Sequence, residues 1–183
     1  MAFYRRRLPH WIPGDAAVFV TWRLAGSRLS GAEGPAGAPA SVPFSPREER
    51  LDYGPFWLQD CRIAGIIVDA LRYGESIRRF YHLHAWVIMP NHVHVILQPR
   101  IAMSSIMRWL KGRTARLANR VLEQTGKAFW QDESFDHWIR SPEELGNLID
   151  YVENNPVKAG LAGAACEWPW SSAAIAADGA SRD

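Results

Sequence analysis

Hydrophobic and polar positions change period several times along the chain, and each change marks an element. Residues 16–24 (AAVFVTWRL) are rich in β-branched and aromatic side chains and predict a strand. From Ala25 to about Pro46 the chain is Gly, Ala, Ser and Pro with few large apolar residues, which predicts a flexible surface insertion. Pro55 then opens a helix expected to run to Tyr73 and stop at Gly74. Phe56, Ile63, Ile66, Ile67, Ala70 and Leu71 recur along it at helical spacing. Two strands, about 81–89 and 92–98, flank Pro90-Asn91. Pro90 cannot take the positive φ of a type I′ turn, so the loop length and the register stay open. A helix is expected from about Ser104 to Gln124, capped by Ser104 or Ser105. Met103, Ile106, Leu110, Leu117 and Val121 form its apolar stripe. A short strand follows at about 135–140. Ser141-Pro142-Glu143-Glu144 start a last helix, with a cap, a proline in the first turn and acids against the dipole. Pro156 disfavours helical geometry at Asn155, so that helix is expected to end near Asn154.

The resulting order is β-α-β-β-α-β-α. Its first six elements make the ferredoxin-like split βαβ pattern, an antiparallel sheet backed by two helices, in the α+β class. The seventh element is an additional C-terminal helix carrying Tyr151. It is free to lie across the other face of the sheet. No internal repeat or second domain is evident, so residues 1–183 read as one domain with an insertion at about 25–46.

Composition narrows the function classes. An apolar fraction of 48% fits a folded globule. No apolar run approaches the roughly 20 residues of a membrane span. No signal-type apolar stretch follows Arg5-Arg6-Arg7, so a cytoplasmic protein is expected. Cys61 and Cys166 are too few for a disulfide framework or a cysteine metal site. The net charge of +2 does not announce nucleic acid, but its distribution does more. Between Arg100 and Arg120 there are six basic residues and no acid, which sets a cationic helix apart from the acidic stretch 131–153. Eighteen of the 21 basic residues are Arg, which suits the bidentate recognition of phosphate and equally fits a GC-rich genome. The nine tryptophans are expected mostly in the core, with one or two left to stack on bases.

The chemistry concentrates in Met89-Pro90-Asn91-His92-Val93-His94-Val95-Ile96-Leu97. Side chains alternate along a strand, so His92 and His94 share a face and make half of a divalent-metal site. A second segment, 151–161 (YVENNPVKAGL), presents a tyrosine together with amide and carboxylate groups on a helix. Alone, His-x-His or a helical tyrosine is an ordinary structural feature. Together they suggest covalent attack on a phosphodiester. His82 and His84 repeat the spacing on the neighbouring strand. An even hairpin loop would put them on the opposite face, and a bulge would reverse that; they read as structural. Asn91 and Pro90 read as shaping the hairpin. Lys158 reads as a solvated lysine beyond the helix end, or as a contact to phosphate or to Tyr151.

MPNHVHVIL, FWQDESFDHWIR and YVENNPVKAGL, in this order, resemble the REP-associated tyrosine transposases, a branch of the single-tyrosine transposases in the HUH endonuclease superfamily. The name HUH describes His-hydrophobe-His, here His92-Val93-His94. The resemblance implies a metal-dependent single-strand DNA endonuclease and strand transferase acting at hairpin-forming palindromic repeats. It implies Mg²⁺ or Mn²⁺ on His92 and His94, and Tyr151 as the nucleophile that forms a 5′-phosphotyrosine. The third ligand comes from the tyrosine helix in such enzymes. Asn155, at i+4 from Tyr151, is the candidate, with Glu153 and Asn154 as alternatives. Many superfamily members carry Gln or Glu there, and Asn155 could instead cap the helix. Arg108, Lys111, Arg113, Arg116 and Arg120 are the candidate phosphate contacts, unless they are a solvated helical face. The implied setting is the bacterial nucleoid, as a monomer or homodimer. Two rivals stay open: a catalytically silent repeat-DNA-binding or regulatory protein, and a hydrolase of another phosphate ester.

Overall fold

The computed structural model describes residues 16–30 and 50–180. Arg5 to Arg7 and most of the expected insertion lie outside these residues. The first strand, β1 (Val18–Leu24), is followed by a tight turn at Gly26, φ +83°, and by β2 (Arg28–Ser30). β2 pairs with β3 (Arg50–Tyr53) in a small two-stranded sheet. The start of the expected insertion is therefore ordered structure, because a turn brings it back onto residues 50–53.

α1 (Cys61–Ser76) begins later than Pro55 suggested. A 3₁₀ turn at Trp57–Gln59 comes first, and Asp60 caps α1 by accepting from the Arg62 N–H at 2.9 Å. Nor does Gly74 end the helix. It is buried inside it because the Tyr81 ring packs where a Cβ would stand. The Tyr81 hydroxyl donates to the Leu71 carbonyl at 2.9 Å, so the ring cannot move away cheaply. Gly74→Ala is expected to lower stability by about 1–3 kcal/mol, the usual cost of overpacking, read as a lower urea midpoint.

β4 (Tyr81–Ile88) and β5 (His92–Pro99) form the central hairpin. Ile88 faces Val93, and the Met89 N–H donates to the His92 carbonyl, leaving Pro90-Asn91 as a two-residue loop. Neither loop residue has positive φ, so the turn is not type I′. The Pro90 and Asn91 carbonyls instead accept from Leu58 and Leu24. Further along, the register shifts between Leu83 and Ala85. That bulge pairs His82 with Gln98, on the same face as His92 and His94.

α2 (Met103–Val121) starts at Ala102, whose carbonyl accepts from Ser105 and Ile106. Neither Ser104 nor Ser105 caps it, and it stops short of Gln124. β6 (Trp130–Trp138) begins five residues before the expected strand. Its polar opening, Gln131-Asp132-Glu133, lies on an edge strand where solvent meets much of the chain, so alternation was hidden. α3 (Pro142–Lys158) is capped by the Ser141 hydroxyl as expected, but it runs through Pro156. Pro156 is buried, its lost hydrogen bond is a single one, and the next turn closes through Ala159 N–H to Asn155 O at 3.0 Å. α4 (Ser172–Ala180) ends the described chain.

The main sheet has the order β4-β5-β1-β6, every pair antiparallel, which is the ferredoxin-like arrangement. α1 and α2 cover one face, where Val18, Val20, Trp22, Val93 and Leu97 meet Ile63, Ile67 and Leu110. α3 covers the other, with Leu148, Tyr151 and Val152 against Phe19, Val87 and Ile96. The free edge of β4 is covered. Glu75 accepts from the Leu83 N–H at 2.8 Å. The segment before α4 takes the rest: Ile88 N–H donates to the Trp170 carbonyl, and the Trp168 indole donates to Ile88 O. Ser172 Oγ accepts from Trp86 N–H and sits 2.7 Å from a Glu153 carboxylate oxygen of α3.

Candidate active site

β5 alternates, so Val93, Val95 and Leu97 enter the α1–α2 core while His92 and His94 turn toward α3. Both imidazoles are fully buried. Their Nε2 atoms are 3.0 Å apart. Each Nδ1 has a partner that fixes its ring. Asn91 Oδ1 lies 2.8 Å from His92 Nδ1. A carboxamide oxygen only accepts, so the proton sits on Nδ1 and His92 Nε2 keeps its lone pair. Thr21 Oγ1 lies 2.7 Å from His94 Nδ1. A hydroxyl can donate or accept, so rotating it lets His94 switch tautomer and present a second Nε2 lone pair. Asn91 thus does more than shape the hairpin. Thr21 had no signal in the sequence beyond its place in a strand, since β1 faces β5 only after folding.

Tyr151 and Asn155 lie one turn apart on α3 and emerge on the same side. The Tyr151 ring is buried, with 7% exposure, 5.7 Å from the His94 ring and 6.1 Å from the Phe19 ring between centroids. Asn155 is buried with Nδ2 3.5 Å from His94 Nε2. A half-turn of its carboxamide would aim oxygen there instead. The other two candidates point elsewhere: Glu153 reaches Ser172, and the Asn154 amide donates to Asp150 O. Lys158 lies in the last turn of α3, not beyond it, with Nζ 5.2 Å from the centre of the Tyr151 ring. The start of α3 is pinned to the sheet by Glu144, which bonds His137 Nε2 at 2.7 Å and accepts from the Arg140 N–H. Burial raises the Glu144 pKa, but these hydrogen bonds outweigh it and hold the carboxyl below its usual range.

No group of three or more His, Cys, Asp or Glu that could hold a metal exists among the described residues. The donor set here is two imidazole nitrogens and a carboxamide. That set fits a divalent cation which completes its shell with oxygen from water or phosphate.

His82 and His84 lie apart from this site. Their rings contact each other at 5.0 Å, and His82 Nδ1 is 2.9 Å from Glu75. Burial and the neighbouring His82 lower the His84 pKa, opposed by Glu75. The expected basic stripe divides. Arg113 lies over the Tyr73 ring, 5.3 Å from its centre, with Arg116 and Arg120 exposed on the same flank of α2. Arg108 and Lys111 line a cleft of about 560 Å³ between α2 and β6. The Lys111 ammonium donates to the carbonyls of Gln131 and Asp132. All five sit on the sheet face opposite His92, His94 and Tyr151.

Residues 76–155 match the family of IS200-like transposases, a span that contains both histidines, Tyr151 and Asn155. Over 96 residues the chain is 31% identical to a putative REP-associated tyrosine transposase of Haemophilus influenzae, covering 46% of this chain and 54% of the relative. It is 29% identical over 96 residues to the REP-associated tyrosine transposase of Escherichia coli, covering 51% and 55%. The chain is similar to the REP-associated tyrosine transposases over this span. It spans about half the length of these two relatives. The fold agrees with a solved REP-associated tyrosine transposase bound to a REP hairpin, at a TM-score of 0.59, 23% identity and coverage of 94% of this chain and 82% of that one. Among the described residues no helix is long and apolar enough to cross a membrane.

Proposed function

We propose that this protein is a single-strand DNA endonuclease and strand transferase that works through Tyr151 at hairpin-forming repeats. One observation carries the reading: two histidine Nε2 atoms 3.0 Å apart, with the Asn155 carboxamide and the Tyr151 ring both against His94. The names of the relatives supply the substrate class, a REP hairpin.

In this reading the Tyr151 oxygen attacks phosphorus. The tyrosyl O–P bond forms and the P–O3′ bond breaks. The phenol proton passes to solvent, and the departing 3′ oxygen ends as a hydroxyl. The 5′ phosphate stays on Tyr151 as a phosphodiester, so a later 3′-hydroxyl can rejoin strands without ATP. An isolated phenol has a pKa of about 10 and is a poor nucleophile at neutral pH. The Lys158 ammonium beside the ring favours its anion electrostatically. Mg²⁺ or Mn²⁺, held by His92, His94 and Asn155, would neutralise charge on the scissile phosphate. Arg108, Arg113, Arg116 and Arg120 would hold backbone phosphates, while Lys111 straps α2 to β6. A fully paired duplex should be cut poorly, because a buried, helix-borne tyrosine needs a flexible strand.

Covalent capture on labelled hairpin DNA with a single-stranded flank tests the function. A hydrolase would cut without an adduct, and a silent DNA-binding protein would bind without cutting. The positioning of His94 has its own test. Thr21→Val keeps shape but cannot bond Nδ1, and should weaken Mn²⁺ binding about tenfold or more, measured by the paramagnetic signal of free Mn²⁺. Thr21→Ser should restore it. Equal Mn²⁺ affinity in all three proteins would remove Thr21 from the site.

A further inference from the structure

Phe135 stands out on β6. Its surroundings in the chain are Gln131-Asp132-Glu133-Ser134 and Asp136, yet the ring is 49% exposed. A lone exposed apolar side chain needs no explanation on its own. The place of this one does. Thr21 of β1 faces His94 on one side and Phe135 on the other. All three therefore share one cross-strand row and one face of the sheet. The Cα atoms of His94 and Phe135 are two strand spacings apart, about 10 Å. Aromatic contacts bridge the gap. Phe19 lies 6.3 Å from Phe135 and 5.5 Å from His94, between ring centroids, and also edges onto Tyr151. α3 packs over the β4–β5 side of this face, which leaves Phe135 as the exposed end of an aromatic path from the nucleophile.

We propose that Phe135 is the seat for one nucleobase of the single-stranded DNA near the scissile phosphate. The proposal rests on the function given above. The local chemistry selects a base over the sugar–phosphate backbone. Glu133 lies two residues before Phe135 on the same face of the strand, and the charges on its carboxylate oxygens repel phosphate. An uncharged aromatic face stacks on Phe without regard to those charges, and it accepts any base. Asp136 takes no part, since it pairs with Val20 and faces the α2 side. A base held here would anchor the strand beside Tyr151, so that the phosphate is presented without reading sequence.

The test is a double-mutant cycle between protein and DNA, in the full-length chain carrying Tyr151→Phe to prevent cutting. The probe is a fluorescent hairpin oligonucleotide with a single-stranded flank, and a series in which each flank base in turn is replaced by an abasic site. Phe135→Ala should weaken binding of the intact probe about fivefold or more, the range of one base–aromatic stack. At one flank position, the abasic probe should bind Phe135→Ala and unsubstituted chains alike. Phe135→Tyr should restore binding, and Phe135→Leu, equally apolar but without a π face, should not. Unchanged binding by Phe135→Ala, full rescue by Leu, or equal losses at every abasic position would overturn the proposal. Adduct formation by the unsubstituted protein separates the two readings: if it persists alongside any of those results, only the base seat falls. If it is absent and the hairpin is not bound, the function fails and the seat with it.

Discussion

Tyr151→Phe is expected to eliminate the covalent protein–DNA adduct while leaving the fold in place. The substitution removes one oxygen. The ring that meets Phe19 and His94 remains, so the packing under α3 is kept and no cavity opens. Without the phenolic oxygen nothing at this position can form a bond to phosphorus. Labelled hairpin DNA, protein and Mn²⁺, resolved on a denaturing gel, should give a slow-moving band with the unsubstituted chain and none with the variant. An undiminished band from the Phe protein would assign the nucleophile to another residue.

The second large effect is at the histidines. His92→Ala or His94→Ala should lower cleavage by a hundredfold or more, the scale of losing several kcal/mol of charge stabilisation at phosphate. Hairpin binding should persist, because the candidate phosphate contacts on α2 lie across the sheet. Both rings are fully buried, so alanine leaves a cavity, and thermal unfolding should accompany the kinetics. His94→Gln, which keeps bulk and an amide, separates a folding defect from the loss of a ligand. His82→Ala is the control: its ring is half exposed and bonded to Glu75, and its loss should leave cleavage near normal. Cleavage at an undiminished rate in EDTA would sink the metal mechanism whatever the variants do.

Parts of this architecture could be read from residues alone, and the reasons differ by element. β5 was legible because strand side chains alternate between two faces, here both buried, and α1 because its buried side chains recur every three or four residues. The sharing of a face by His92 and His94 followed from the same alternation. Tyr151 and Asn155 followed from helical spacing. Boundaries were less legible where a local rule lost to packing. Gly74 stays helical because Tyr81 needs its missing Cβ, and Pro156 stays helical because the turn around it closes on Asn155. β6 hid its start because an edge strand can be polar. The face occupied by His82 depended on one bulge, which no propensity marks. Thr21 and Phe135 were invisible for a different reason. Their meaning comes from cross-strand register with His94, more than 40 residues from Phe135 and more than 70 from Thr21.

The segment from Trp168 to Ser172, which occupies the outer rim of β4, also decides how this molecule behaves toward copies of itself. An uncovered strand of this kind, Trp86-Val87-Ile88, is flat, uncharged and a template for further pairing. Here Trp170 and Ser172 already consume its outward N–H groups. Shortening the chain ahead of Trp168 would therefore do more than free α3 from Ser172. It would leave a sticky hydrophobic margin beside the β4–β5 hairpin and invite sheet-to-sheet growth between molecules.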